Sequence, residues 1–470
     1  MRKFNIRYIL LGLYISITVW LYPVLFLYAQ NVKETSLKDC LYSLSLMVIC
    51  SLLSLGIGKI CFIKTDFKIA VVFSAFLGII GGNYKLVLDG IQKVIPQVRY
   101  WHLALIAIFL IILICKLVLY KNCQGTVCFI IGIVFSVLVF FNILITIPTN
   151  IKKISTQSIE LEQVKTDISS SKSNIYYLLC DEYASFAQLE KDFGYDNNYL
   201  KSELEQMKFY ISQTSRNDTS ATTIVMSNIM SMDYVATYDT ITEERDVMMK
   251  TGKLHSVLRA NGYKEIGIGD TEWLGIPGTI SNDNISKDAD GKNFTEIAME
   301  KSFLFPLYRH NYTAAAEEIR DTFVALKELD IVPNSGLFTL FYVSCPHHPY
   351  FFKADGSTNS TEAMVNDDGS HPDSYIGQVE YTNNQIIPAI KRIIEKDPDS
   401  IIILCSDHGN RFGNITADME TRILNAIYYK GEIVSDFEGL SGLNTIIYVL
   451  NRENNLNIEY VPLPRGENKK

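Results

Sequence analysis

The run Ile401-Ile402-Ile403-Leu404-Cys405-Ser406-Asp407-His408-Gly409-Asn410-Arg411 decides how the chain is read. Its first four residues are aliphatic without alternation, the texture of a strand buried on both faces in a parallel sheet. Asp407 and His408 then set a carboxylate beside an imidazole. Gly409 allows a sharp turn, so both heads are offered at the carboxyl end of the strand, where α/β folds place their ligands. A divalent cation suits that pair. The plain alternative is a turn in which the aspartate caps the next segment and the histidine is merely exposed, so other stretches must decide.

Upstream, residues 375–396 carry Ile376, Val379, Ile386, Ile390 and Ile393 at helical spacing, with Pro388 as a kink, and feed directly into this strand. Residues 174–180, NIYYLLC, form a second compact apolar run, followed by Asp181-Glu182; this repeats the layout at Asp407. A third run, 337–344, precedes Cys345-Pro346-His347-His348-Pro349-Tyr350, two histidines in a proline-stiffened loop. Between them, 199–207 and 313–329 have helical periodicity and 209–212 suits a short strand. Strands and helices alternating over some 300 residues predict a mainly parallel sheet covered on both faces, with sites at strand carboxyl ends. Oxygen donors from Asp181 and Asp407 with the His408 imidazole suit manganese, zinc or magnesium. One of the two loop histidines, His347 by preference, is then a donor to a phosphate oxygen or a general acid.

Composition separates this region from what precedes it. Of 470 residues, the first 150 hold 13 Lys and Arg against four Asp and Glu, which leaves 30 against 47 in the remainder. The carboxyl-terminal part is therefore strongly acidic and repels phosphate backbones, which excludes nucleic acid as a partner. Six of nine cysteines precede residue 150, and Cys180, Cys345 and Cys405 each close an apolar run, so neither a disulfide framework nor zinc-type spacing is present.

Residues 8–30, 40–58, 69–84, 101–115 and 122–150 are uncharged and mostly apolar, against the roughly 20 residues a helix needs to cross hydrocarbon. The third and fourth are short, with Lys85 and Lys116 placed to snorkel. Five spans are expected, with four as the alternative. Arg2, Lys3, Arg7, Lys59, Lys64, Lys68, Lys116 and Lys121 fall on one side of the five-span arrangement, and Lys33, Lys38, Lys85, Lys93 and Arg99 on the other. The positive-inside bias places the carboxyl-terminal domain outside the cytoplasm. The expected division is a transmembrane region at 1–150, a Lys, Ser, Thr and Gln-rich juxtamembrane linker at 151–173, and a catalytic domain at 174–470.

A nucleophile is expected in the hydroxyl-rich segment 212–231, where Thr219, Ser220, Thr222, Thr223 and Ser227 all qualify; hydroxyls there also serve as helix caps. The order of strand-Asp, hydroxyl-rich helix start, Cys-Pro-His-x-Pro-aromatic loop and Ser-Asp-His-Gly strand end resembles the sulfatase-like branch of the alkaline phosphatase superfamily. It is most similar to membrane-anchored phosphoglycerol and phosphoethanolamine transferases of the lipoteichoic acid synthase type, over residues 174–451. The resemblance implies an alkaline-phosphatase-like α/β/α sandwich behind an all-α transmembrane bundle. It also implies a metal held by Asp181, Thr222, Asp407 and His408, with Thr222 as nucleophile and His347 binding substrate. Thr222 is matched because Ser231-Met232-Asp233-Tyr234 resembles the stretch that follows the nucleophile helix, while Thr223 leaves the register open by one.

Two departures stand out: Thr219 replaces the usual aromatic residue before the nucleophile, and the Cys/Ser-x-Pro-x-Arg pattern of true sulfatases is absent from 212–231. Formylglycine chemistry is thereby disfavoured. The resemblance implies transfer of a phosphorylated headgroup from a membrane phospholipid donor to a surface glycan or lipid acceptor through a phospho-threonine, with one divalent metal, Mn2+ or Zn2+, or Mg2+. A phosphoesterase of the same fold and a non-catalytic glycan-binding relative are the alternatives; an intact Asp-His-Gly and a hydroxyl at 222 speak against the latter.

Overall fold

Among its described residues, the apolar amino-terminal third folds as six helices: α1 (Ile6–Gln30), α2 (Leu37–Cys61), α3 (Phe67–Gly82), α4 (Tyr84–Gln92), α5 (Tyr100–Tyr120) and α6 (Gln124–Gln157). The computed structural model describes residues 6–464 apart from 34, 36, 96, 158–171, 280–293, 305–311, 361–363, 365–369 and 412–414. Four of these helices, α1, α2, α5 and α6, are long and apolar enough to cross a membrane. The third expected span is broken: α3 and α4 are bent by 58°, so the count is five only if the pair is one span. Gly81-Gly82 end α3, and Asn83 interrupts the ladder, its side chain donating back to the Ile79 carbonyl at 3.1 Å. Glycines give a helix little hold against such a break. α5 runs past Lys116 and is longer than the sequence reading allowed.

The α1–α2–α3 packing uses small residues. Ser16 is hydrogen-bonded to Ser51 at 2.7 Å and Ser74 at 2.6 Å, Ser54 also bonds Ser74, and Trp20 Nε1 donates to the Ser74 carbonyl at 3.1 Å. In hydrocarbon, where apolar burial drives little association, close approach and interhelical hydroxyls hold helices together. The segment Ile285–His310 groups with this unit. Within it the helix Phe294–Lys301 sets Phe294 edge-on to Tyr28 at 5.9 Å and Thr295 in a 2.8 Å hydrogen bond to Ser43. The second unit is accordingly Thr156–Asn284 with Asn311–Lys470, not one unbroken stretch. Of the linker expected at 151–173, α6 takes the start, through Gln157, and 158–171 lies outside the described residues.

Among the described residues, the second unit is built on six strands, β1 (Ile175–Cys180), β2 (Tyr210–Ile211), β3 (Lys264–Ile268), β4 (Leu337–Val343), β5 (Ile401–Cys405) and β6 (Asn425–Tyr429), in the order β2-β6-β5-β1-β4-β3. The β3–β4, β4–β1 and β1–β5 pairings are parallel, and β5–β6 and β6–β2 antiparallel. Alternate residues of β1 enter opposite cores: Tyr176 and Leu178 join the helices Tyr312–Glu328 and Pro372–Lys396, whereas Ile175, Tyr177 and Leu179 join Thr222–Ser231, Lys253–Ala260 and Gly442–Asn454. Period-two alternation with both faces apolar is what forces helices onto both sides. This is the α/β/α sandwich with a mainly parallel sheet. The helix Pro372–Lys396 continues through Pro388 as one element.

Candidate active site

β1 and β5 are neighbours and run the same way, so residues just past their ends are brought together. Past β1, the Asp181 amide still bonds the Val343 carbonyl at 3.0 Å, which fixes its backbone to β4. Glu182 then adopts φ +59°, a left-handed conformation rare outside glycine. Past β5, the Asp407 carbonyl accepts from Asn217 at 2.7 Å, and the Gly409 amide donates to the Glu420 carbonyl at 2.8 Å. Gly409 does not have positive φ; it is required for closeness, since a Cβ there would lie 2.1 Å from Gln188 Oε1. The chain bends at Asp407-His408, as the sequence suggested, and the left-handed residue at the site is Glu182 on the other strand end.

Donor atoms of Asp181, Asp407 and His408, all buried, lie within 4.8 Å of one another. His408 Nδ1 donates to the Gly409 carbonyl at 2.7 Å, which leaves Nε2 as a bare lone pair. That nitrogen stands 3.3 Å from Asp407 Oδ2 and 3.6 Å from Asp181 Oδ1. Neither of these oxygens has a hydrogen-bond partner, although the other oxygen of each does: Tyr342 donates to Asp181 Oδ2 at 2.6 Å and the Glu182 amide to Asp407 Oδ1 at 3.1 Å. Three lone-pair donors converging without a proton between them are costly in a buried site and fit a divalent cation. The second set of bonds orients the donors.

The electrostatics agree. Burial, and next the neighbouring Asp407, push the Asp181 carboxyl well above its usual range. Burial pushes Asp407 the same way, but His408, the Thr222 hydroxyl and the Glu182 amide outweigh it and hold Asp407 below its usual value. Burial brings His408 down to about 4, so its imidazole is neutral and able to ligate at neutral pH.

Of the five hydroxyls proposed as nucleophile, Thr222 reaches the cluster: its Oγ1 is 3.4 Å from His408 Nε2, at the first residue of the helix Thr222–Ser231. The other four are turned elsewhere. Thr219 bonds the Tyr238 hydroxyl, Ser220 bonds Glu420, Ser227 bonds the Thr223 carbonyl, and Thr223 is exposed. The cap position belongs to Ala221, so Thr222 has no capping duty.

His347 and His348 are both buried. The structure turns His347 toward the cluster, its ring centre 6.4 Å from that of His408, and sets His348 edge-on against Tyr350 at 5.1 Å. Residues that sequence reasoning passed over hold this loop. Gln378, buried on the helix Pro372–Lys396, donates to the carbonyls of Pro346, His347 and Pro349 at 2.8 to 3.3 Å and accepts from the Phe352 amide at 3.1 Å. Glu182 and Arg411 also enter the site: Arg411 donates to His347 Nε2 at 2.8 Å and to the Ser220 carbonyl at 3.1 Å, and its backbone amide bonds Glu182 Oε1 at 3.2 Å. The visible signal was the carboxylate beside Asp181 and the arginine that closes the 401–411 run.

The sequence matches no protein-family profile and no curated protein. Among solved structures, the lipooligosaccharide phosphoethanolamine transferase EptA of Neisseria meningitidis, an integral membrane protein, is similar over 94% of this chain and 95% of its own, at 14% identity and a TM-score of 0.42. The zinc-complexed carboxyl-terminal periplasmic domain of EptC from Escherichia coli is similar over 63% of this chain and 86% of its own, at 12% identity and a TM-score of 0.41. The lipoteichoic acid synthase LtaP of Listeria monocytogenes is similar over 66% and 79%, at 12% identity and a TM-score of 0.39.

Proposed function

We propose that this is a membrane-anchored, metal-dependent phosphotransferase that moves a phosphorylated headgroup, phosphoglycerol or phosphoethanolamine, from a membrane phospholipid to a glycan or lipid acceptor outside the cytoplasm. The observation that carries the reading is the Thr222 hydroxyl 3.4 Å from His408 Nε2, beside two buried carboxylate oxygens that lack partners. Asp181, Asp407 and His408, with Thr222 beside them, would hold a manganese or zinc ion, or magnesium; when bound, such an ion supplies Lewis acidity that stabilises charge on a phosphoryl group.

The chain's own groups then have distinct tasks. Thr222 Oγ1 forms the new bond to phosphorus as the phosphorus–oxygen bond to the diacylglycerol breaks, and the released alkoxide takes up a proton. The acceptor hydroxyl next displaces Thr222, which recovers its hydroxyl. Amide groups at the start of the ten-residue helix Thr222–Ser231 steady the phosphoryl oxygens. His347, held by Gln378 through its backbone and by Arg411 through its ring, positions the substrate. Apolar helices keep the enzyme in the bilayer that holds the donor, and the basic-residue asymmetry supports a catalytic unit on the outer side.

The test is a labelled-headgroup lipid incubated with the full chain, with and without a glycan acceptor. Transfer that depends on acceptor supports the reading. Release of the headgroup to water at the same rate in both arms establishes a phosphoesterase, and no turnover in either arm establishes a binding protein.

A further inference from the structure

Glu182, Arg411 and His347 are arranged for more than holding a cation. His347 Nδ1 donates to the His348 carbonyl, its Nε2 lies 2.8 Å from Arg411 Nη2 and 3.3 Å from Glu182 Oε2, and the guanidinium brings a permanent positive charge to this group. Arg411 also reaches the Ser220 carbonyl at 3.1 Å, two residues before Thr222, so it bridges the nucleophile's approach and the histidine loop. Its side chain is 21% exposed: mostly desolvated, yet reachable.

Glu182 is fully buried and occupies a left-handed conformation that a side chain seldom adopts. Strain of that kind persists where the surroundings impose it, commonly at functional sites. It lets two consecutive carboxylates serve one site, Asp181 toward His408 and Glu182 toward Arg411. The Glu182 Oε2 to Arg411 Nη2 separation is 3.7 Å, beyond hydrogen-bond length, and the same oxygen stands 3.3 Å from His347 Nε2, so the Glu182–Arg411 contact is electrostatic. An arginine fork beside a carboxylate at that distance can exchange it for phosphoryl oxygens, which it fits in a bidentate manner.

The geometry points to Arg411 as the residue that receives the phosphoryl oxygens of an incoming phosphate ester, with Glu182 as the counter-ion that the anion displaces. This rests on the phosphotransfer reading of the site. Because the two residues act with opposite signs, substituting them separates anion binding from mere bracing.

The experiment uses the full chain in detergent, loaded with Mn2+ or Zn2+, with metal content measured by mass spectrometry and binding of inorganic phosphate by calorimetry. Arg411→Gln is expected to weaken phosphate binding about tenfold to a hundredfold, the range for loss of a charged hydrogen-bond donor, at unchanged metal content. Arg411→Lys keeps the charge without the fork and should fall between; it also guards against misfolding of the glutamine variant. Glu182→Gln, which preserves the oxygen that accepts the Arg411 amide, should tighten phosphate binding several-fold. Phosphate binding by Arg411→Gln within twofold of wild type overturns the assignment, as does a Glu182→Gln loss comparable to that of Arg411→Gln. Headgroup label on Thr222 is followed separately in the wild type. If none forms while phosphate binding still depends on Arg411, the transfer reading fails and the Arg411 assignment stands.

Discussion

Gly409→Ala is a one-methyl change with a large expected effect. The added Cβ would sit 2.1 Å from Gln188 Oε1 and 2.9 Å from the carbonyl oxygens of Met419 and Arg422. Gln188 cannot simply step aside, because its buried amide holds the Asn410 backbone in both directions, accepting from the amide at 3.1 Å and donating to the carbonyl at 2.8 Å. Losing those two bonds costs about 1 kcal/mol each. Pressing the turn away from two backbone carbonyls adds about 1–3 kcal/mol of overpacking. The total is about 3–5 kcal/mol. The shift reaches the metal donors directly, because His408 Nδ1 is bonded to the Gly409 carbonyl, so metal content should fall with stability. Thermal unfolding and metal analysis of the full chain check both. Gln188→Ala alone should cost about 2 kcal/mol. The double variant should be less destabilised than the sum by about 1 kcal/mol or more, since the shortest clash is then gone. A Gly409→Ala protein that keeps its stability to within about 1 kcal/mol and retains its metal would refute the steric argument, as would strict additivity.

Further outcomes follow from the same geometry. Thr222→Ala should abolish turnover at a stability cost of about 1 kcal/mol, since one 3.4 Å contact is lost and no cap is involved; Thr223→Ala, at an exposed side chain, should be far milder, and peptide mapping of the wild type after incubation with donor lipid should find the label on Thr222. Asp407→Asn and His408→Ala should each lose bound metal while circular dichroism stays unchanged; full metal occupancy in both would show the site misplaced. His255 bonds Glu265 through Nδ1 and the Met249 carbonyl through Nε2, so both nitrogens donate; burial opposes this charge, but Glu265 prevails and the imidazole titrates above its ordinary 6.5. Its stabilisation is therefore complete below about pH 6.5 and lost as pH rises through the higher folded value, so the wild-type melting temperature should fall there while that of His255→Gln stays flat. A reporter fused after Lys470 should be active only outside the cytoplasm; cytoplasmic activity would remove the orientation and the surface role together.

Legibility in the sequence tracked how local each signal was. β1, β4 and β5 are central, so both faces are buried and the runs at 175–180, 337–343 and 401–405 are continuously apolar. β3 was missed because it is an edge strand: Lys264 is exposed, Glu265 and Ile266 are half-buried, and Gly267 weakens the pattern, kept there because a Cβ would meet Thr271 Oγ1 at 1.9 Å. β6 is buried throughout but short, and it pairs antiparallel with β5 directly after the site. The helix between them, Ala417–Glu420, is only four residues long, so the alternating strand and helix pattern gave no reason to expect a strand there.

The same distinction divides the site. Asp181, Thr222, Asp407 and His408 stand at element ends, so residue type and position alone mark them as donors or nucleophile. Glu182 and Arg411 lie beside those ends, but residue type alone assigns them no task, and Gln378 has no such local mark. Glu182 in an extended strand would have pointed to the face opposite Asp181, and only its left-handed backbone brings the neighbouring carboxylate to the same site. Gln378 sits on the buried face of an amphipathic helix beside Val379, where a polar residue reads as an interruption of the apolar stripe. Its role depends on a loop about thirty residues upstream, three of whose carbonyls it bonds. Such residues answer to partners distant in sequence, and a buried polar side chain on an apolar helical face is the trace they leave. By that criterion Gln378→Leu, which keeps volume and removes both hydrogen-bonding functions, should leave the helix intact and loosen the 345–350 loop. Phosphate affinity should then drop with metal content unchanged, and an unchanged affinity would assign Gln378 to packing alone.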